Sequence, residues 1–138
     1  MQDKKVYYKG GYKYQIVQTY HTETRIKPKN PISTEWIQLD TEGNLTIQDG
    51  YAYDGPSGPT LDTPDSMRAS LEHDAKYQLF RLGLLNQNWR ATADEEFRET
   101  CLEDGMMHFR ADTWYLFVRE FAEKAATVGR ETPILEAP

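Results

Sequence analysis

The stretch that decides the fold is residues 51–67, which read YAYDGPSGPTLDTPDSM. Residues 55–59 combine glycine and proline so closely that they predict an irregular loop, since neither residue continues a strand or a helix. Thr63 then precedes Pro64, an order typical of a helix start. The Thr63 hydroxyl can cap the helix. Proline is tolerated in the first turn, because the N–H groups there have no hydrogen-bond partner within the helix. The chain is therefore expected to change here from sheet to helices.

Before the loop, residues 1–52 lack helical periodicity and predict a small antiparallel sheet. Residues 12–21 are rich in β-branched and aromatic side chains and predict one strand. Residues 35–39 and 44–48 predict two further strands, and Thr-Glu-Gly-Asn at 41–44 is typical of a hairpin turn between them.

After the loop, the apolar residues recur at helical spacing. They predict a first helix over residues 64–82, which Gly83 would end. A capping-box pattern that begins at Thr92 predicts a second helix over 93–104, and a further apolar stripe predicts a third over 111–127. The expected fold class is therefore α+β, with an N-terminal sheet followed by three helices that carry any functional site.

The length of 138 residues suits one domain. We expect it to span residues 1–128, in a β-rich part (1–52), a Gly/Pro loop (53–62) and a helical part (63–128). Residues 129–138 are expected to form a flexible tail.

The charge distribution narrows the classes of partner. The formal net charge is -6, although residues 1–30 are basic, so a general nucleic-acid binder is not expected. The basic N-terminal face could still contact phosphates or anionic lipid, or be an ordinary solvated surface. The single cysteine excludes an intramolecular disulfide. The sequence has no long apolar run, so we expect neither a signal peptide nor a transmembrane segment.

Residues 73–77, HDAKY, hold the side chains with the most chemistry. His73 and Tyr77 are four residues apart and share one helix face, with Asp74 one step round. A histidine is the usual general base near neutral pH, and a carboxylate is a ligand for a hard cation such as calcium. Asp94, near the start of the next helix, is a candidate to orient the imidazole. The same pattern also suits a purely structural polar turn, and the residues alone leave both interpretations open.

Two other chemistries fit the sequence poorly. A His-Asp phosphohydrolase needs a second histidine on a preceding helix, whereas His21 lies in a predicted strand and His108 lies beyond the second predicted helix. Cys101 falls on an apolar helix stripe, so it is expected in the core rather than at a nucleophilic site.

Three motifs in order resemble phospholipase A2: Tyr53-Asp-Gly-Pro-Ser-Gly, His73-Asp74-x-x-Tyr77 and Ala93-Asp94-x-x-Phe97. The likeness is greatest to the disulfide-poor type in the minor-capsid segment of parvoviruses, and it covers about a third of the chain. The motifs are also similar to a family of small bacteriophage proteins with a Gly-Pro loop and a His-Asp-x-x-Tyr helix, and we expect this chain to be a member.

The resemblance implies a role for each residue of the set. His73 would be the base that activates a water for attack on an sn-2 ester, Asp94 would orient His73, and Tyr77 would hydrogen-bond Asp94. Calcium would be bound by the carboxylate of Asp74 and by the carbonyl oxygens of three residues: Tyr53, Gly55 and Ser57. Ser57 departs from the family pattern, which has a glycine there, and a serine adapts less easily to a positive φ.

The resemblance also implies where the protein acts and on what. The expected partner is a phospholipid or membrane surface, and the expected location is the host cytoplasm or the virion. The alternative is a non-enzymatic phage accessory or virion protein that uses the same scaffold to bind another phage or host protein. In that case His73, Tyr77 and Asp94 would be a buried hydrogen-bond network between two helices.

Overall fold

The computed structural model describes residues 8–9, 14–53 and 64–126. The chain divides into two compact units, Met1–Asp54 with Thr132–Pro138, and Gly55–Glu131. Antiparallel strands come first along the chain and three helices follow, which confirms the α+β class. The single domain over 1–128 stays a prediction. The expected tail, 129–138, lies outside the described residues, as does most of the Gly/Pro loop.

The described residues of the first unit form two antiparallel sheets. The strands are β1 (Tyr8–Lys9), β2 (Tyr14–Ile16), β3 (Tyr20–Glu23), β4 (Ile32–Ser33), β5 (Ile37–Leu39), β6 (Asn44–Ile47) and β7 (Ala52–Tyr53). One sheet has the order β1-β2-β7 and the other β3-β6-β5-β4. Alternate residues of β5 and β6 are buried, so that Ile37 is paired with Ile47 and Leu39 with Leu45. This period of two is what a sheet with one covered face requires.

The predicted hairpin between β5 and β6 is present, and its turn is fixed by one carboxylate. Asp40 Oδ1 accepts hydrogen bonds from the backbone N–H groups of Glu42 and Asn44, at 2.9 and 2.8 Å. Gly43 adopts φ +88°, and a Cβ at this position would collide with the carbonyl oxygen of Thr24. Only glycine therefore fits the turn without strain.

The prediction of one strand over residues 12–21 is wrong. The described part of that stretch forms β2 and β3, which belong to different sheets, and residues 17–19 form a bend between them. Val17 is half exposed in the bend, and Thr19 Oγ1 donates a hydrogen bond to Asp49 Oδ1 at 3.2 Å. Composition favoured a continuous strand, whereas the change of sheet requires the break.

Over residues 64–126, the second unit forms three helices and one short 3-10 turn. They are α1 (Pro64–Arg81), the 3-10 turn (Gln87–Trp89), α2 (Arg90–Glu103) and α3 (His108–Ala125). The first helix begins and ends close to its predicted bounds, and Gly83 follows it with φ +74°. The expected apolar stripe is buried at Met67, Leu71, Ala75 and Leu79, but Leu82 lies past the helix and is only partly buried. Most of the other α1 residues are also buried, so the helix is covered nearly all round.

The predicted starts of the other two helices are wrong by three residues. The second helix begins at Arg90 because the 3-10 turn continues directly into it, and the side chain of Asn86 caps that turn by accepting from Asn88 N at 2.8 Å. Thr92 therefore lies inside α2 and is not its cap. The third helix begins at His108, where the expected start was 111.

The helices of the second unit share an apolar core. Helix α2 packs against both α1 and α3. The buried members of one core cluster are Ala69, Phe97, Cys101, Met106, Ala111 and Trp114. Phe97 and Cys101 point inward from α2, as the apolar periodicity predicts. Among the described residues, no helix is both long enough and apolar enough to cross a bilayer.

Candidate functional site

His73 and Tyr77 lie one above the other on α1. Their rings stack with centroids 4.3 Å apart at 25°. The ring of Phe97, on α2, approaches His73 edge-on with its centroid 5.2 Å away. The histidine side chain is 12% exposed, so one part of it still reaches solvent. These aromatic contacts limit the orientations that the imidazole can adopt.

Asp94 is the centre of the site. Its side chain is fully buried on α2. Oδ1 lies 2.7 Å from His73 Nε2 and accepts a hydrogen bond from Tyr77 Oη, also at 2.7 Å. Oδ2 accepts a hydrogen bond from Arg119 Nη1 at 2.6 Å. We call these four residues the Asp94 network. It joins all three helices, and the nearby cation supports a charged carboxylate in a buried position.

The contacts of Asp94 fix which nitrogen of His73 carries the proton. An ionised carboxylate only accepts hydrogen bonds, so the neutral imidazole has its hydrogen on Nε2. Among the described residues, none hydrogen-bonds to Nδ1 of His73. The lone pair on Nδ1 is therefore the one that is able to take a proton from another molecule.

Burial and nearby charges determine the protonation states. Burial lowers the pKa of His73 below 6.5, the hydrogen bond and the charge of Asp94 oppose this shift, and Lys76 and Arg81 add to it. The imidazole is therefore neutral near pH 7 and available as a base. Burial and Asp94 raise the pKa of Tyr77 far above its ordinary value, so its hydroxyl remains a donor.

Comparison with protein-family models, curated proteins and solved structures gives no match.

The phospholipase A2 and bacteriophage resemblances therefore stay predictions that rest on the motifs. The structure brings three of the predicted site residues, His73, Tyr77 and Asp94, into direct contact, in the pairing that the resemblance implies. Their catalytic roles are not decided by this geometry, since a buried network of the same kind also serves to specify a fold.

The predicted calcium ligands are divided between the described and the undescribed parts of the chain. Asp74 lies on α1 beside His73 and is partly buried, and its carboxylate is the ligand type that calcium prefers. Tyr53 lies in β7, while Gly55 and Ser57 lie outside the described residues. Within residues 14–53 and 64–126, no three His, Cys, Asp or Glu side chains are grouped so that they could hold a metal. Backbone oxygens would have to supply the other ligands.

Sequence reasoning missed Arg119. A buried carboxylate that orients a histidine needs a neighbouring cation, and this need was the available signal. The sequence offers several arginines in the second and third helices, and only the packing of α3 selects Arg119. Lys76 was also missed. It lies within HDAKY, is 2% exposed, and its Nζ lies 2.8 Å from Glu96 Oε1.

The residues set aside at the sequence level take no part in the Asp94 network. His21 is exposed on β3 and shares a hydrogen bond with Thr46. His108 is exposed at the start of α3. Cys101 is buried, and burial raises the pKa of its thiol to about 12, so the thiolate that a nucleophile needs is scarce.

Proposed function

We propose that the chain is a phage-encoded, calcium-dependent hydrolase of the phospholipase A2 type, in which His73 acts as general base. One observation carries the proposal. Nε2 of His73 lies 2.7 Å from Asp94 Oδ1, which also accepts a hydrogen bond from Tyr77, and Nδ1 has no hydrogen-bond partner among the described residues. The motif resemblance supplies the substrate class, a phospholipid at a membrane surface.

In the proposed reaction, Nδ1 of His73 takes a proton from a water molecule as the water oxygen attacks the ester carbonyl carbon. A tetrahedral intermediate forms, and its bond to the alcohol oxygen then breaks. His73 returns the proton to that oxygen, so the products are a fatty acid and a lysophospholipid.

Asp94 has two tasks in this reaction. Its acceptor oxygen holds the tautomer of His73, and its negative charge stabilises the imidazolium that exists between the two proton transfers. Tyr77 keeps its proton throughout and holds Oδ1 in place.

The motif resemblance assigns calcium to the carboxylate of Asp74, with the carbonyl oxygens of Tyr53, Gly55 and Ser57 as its other ligands. When bound, the ion would polarise the ester carbonyl and stabilise the negative charge that develops on its oxygen.

A second candidate function is a non-enzymatic phage accessory or virion protein. It is favoured by the low exposure of His73 and by the fact that Asp94 connects three helices, which is also what a structural network does. In this case the wild-type protein would have no hydrolytic activity, and substitutions of His73 would change only its stability.

The experiment that separates the two is fatty-acid release from mixed phospholipid vesicles, with calcium and with a chelator. Wild type is compared with His73→Asn, which keeps a polar side chain of related shape. His21→Asn is the matched control, because His21 is exposed on the other compact unit. The proposal predicts calcium-dependent release by wild type and His21→Asn, and at least about 100-fold less by His73→Asn. No release by folded wild type would reject hydrolysis of these lipids and favour the second candidate.

A further inference from the structure

We propose that Arg119 is a positioning residue of this site: by holding Oδ2 of Asp94, it keeps Oδ1 turned toward His73 and Tyr77. The inference rests on the proposed function, and it extends the site to α3, beyond the three motifs of the sequence.

The division of donors between the two oxygens of Asp94 is the first support. Oδ1 accepts a hydrogen bond from Tyr77 Oη and lies beside His73 Nε2, both at 2.7 Å. Oδ2 accepts a hydrogen bond from Arg119 Nη1 at 2.6 Å. The terminal torsion of an aspartate is broad, so packing alone fixes the carboxylate plane weakly. A charged donor on the far oxygen adds a strong directional constraint.

The burial of Asp94 is the second support. Its side chain is completely buried, so Oδ2 has no bulk water to replace a lost donor without a rearrangement. Without the guanidinium, the carboxylate has to rotate or admit water, and either change weakens its contact with His73. The fixed tautomer of the imidazole depends on that contact.

The position of Arg119 is the third support. Its side chain is 34% exposed. Replacing it with a shorter or uncharged residue would therefore leave a space that solvent can enter and not a closed cavity. Trp114 belongs to the core cluster, and Phe117 and Val118 pack against it, so α3 has apolar contacts that do not depend on Arg119. The helix is therefore expected to stay packed when the guanidinium is removed.

A simple structural tie between α2 and α3 is the rival explanation. The chain offers a matched control for it, because Arg98 Nε lies 2.6 Å from Asp112 Oδ1 and joins the same two helices. That pair is more exposed and does not touch Asp94. Arg98→Met thus removes an α2–α3 ion pair and leaves the Asp94 network intact.

The test compares wild type with Arg119→Met, Arg119→Lys and Arg98→Met. The ring nitrogens of His73 are observed by ¹⁵N NMR at a pH where the imidazole is neutral, which reports the tautomer directly, and kcat and KM are measured on phospholipid vesicles. Thermal unfolding is recorded for each variant to establish that it is folded.

We expect Arg119→Met to mix the two tautomers of His73 and to lower kcat by about 10- to 100-fold with little change in KM. Arg119→Lys should recover part of both, since an ammonium supplies charge without the planar fork. Arg98→Met should change neither.

A His73 tautomer in Arg119→Met that is the same as in wild type would overturn the proposal, as would equal kcat losses in Arg119→Met and Arg98→Met. The NMR readout needs no turnover. If wild type hydrolyses no lipid but Arg119→Met still mixes the tautomers, the positioning role of Arg119 stands and the proposed function fails.

Discussion

The Asp94 network can be compared with a second polar network that joins α1 to α2, and of these two only the Asp94 network contains a base. The second, which we call the Arg68 network, consists of Arg68 with its three acidic partners, Glu72, Glu103 and Asp104. Arg68 Nη2 lies 2.6 Å from Glu103 Oε1, and Nε lies 3.0 Å from Asp104 Oδ2. Its Nη1 lies 3.6 Å from Glu72 Oε2. The guanidinium stays protonated and cannot act as a base, and this network contains no histidine.

The Asp94 network has a fully buried carboxylate at its centre and differs in composition. It contains a neutral imidazole, whose two nitrogens have opposite roles, and Asp94 uses only the donor one. The comparison teaches that burial and short hydrogen bonds do not by themselves identify a functional site. The distinguishing feature is a titratable group with its basic atom turned away from the network.

The largest effect is expected from Asp94→Asn, which removes the carboxylate that fixes the tautomer of His73. The amide presents N–H donors as well as an oxygen, so it no longer enforces the proton on Nε2 of His73. Turnover on phospholipid vesicles should fall by about 10³- to 10⁴-fold, as expected when a catalytic histidine takes the wrong tautomer. Circular dichroism establishes that the variant is folded. A folded variant with unchanged turnover would contradict the assigned role of Asp94.

The next prediction separates the acid that orients His73 from the acid that would hold calcium. Asp74→Asn should abolish calcium binding, because a charged hard oxygen ligand is lost, whereas Asp94→Asn should leave calcium affinity nearly intact. Isothermal titration calorimetry measures both. Equal calcium affinities in wild type and Asp74→Asn would remove Asp74 from the proposed ligand set.

Arg68→Met should lower the stability of the protein without lowering its turnover. Removing the guanidinium from this partly buried network should lower the free energy of unfolding by about 1–3 kcal/mol, because Glu72 and Asp104 lose a charged partner. Denaturant unfolding measures the change, and turnover per folded molecule should match that of wild type. A large loss of turnover at full folding would show that the two networks are not separate in function.

A smaller effect is expected from Tyr77→Phe. The change removes one donor to Oδ1 of Asp94 while keeping the ring that stacks on His73. The lost bond to a charged group should lower the free energy of unfolding by about 1.5–3 kcal/mol. Turnover should fall less than in Asp94→Asn, because the contact between His73 and Asp94 remains. Turnover as low as that of Asp94→Asn would mean that Tyr77 does more than support Oδ1.

The smallest effect is a pH dependence of stability. Burial lowers the pKa of His73 in the folded protein, so the unfolded chain binds the proton more tightly. The contribution of His73 is fully present above about pH 6.5. It is lost as the pH falls through the lower folded-state pKa. His73→Asn should therefore lose less stability on acidification than wild type does, as measured by denaturant unfolding between neutral and mildly acidic pH. Parallel curves for the two proteins would contradict the stated pKa shift.

Much of the helical unit could be predicted because its signals are local. The first helix has Pro64 at its start and Gly83 after its end, and residues four apart on a helix must share a face, which brings His73 above Tyr77. The hairpin between β5 and β6 could be predicted for the same reason, since Gly43 stands where the turn needs a positive φ.

The features that were missed depend on tertiary contacts. The break in residues 12–21 reflects a change of sheet, which has no local sequence signal. Strands β1, β4 and β7 have two residues each, too few to show alternation. The start of α2 is displaced because a capped 3-10 turn extends it. The choice of Arg119 as partner of Asp94 depends on how α3 packs, which periodicity does not determine.

The most direct test of the central claim is the initial rate of fatty-acid release from calcium-containing phospholipid vesicles by folded wild type and folded His73→Asn. If Nδ1 of His73 is the general base, wild type releases fatty acid and the variant is slower by at least about 100-fold. Equal rates, or no release by wild type, would contradict the account and leave the Asp94 network, like the Arg68 network, as a device that holds helices together.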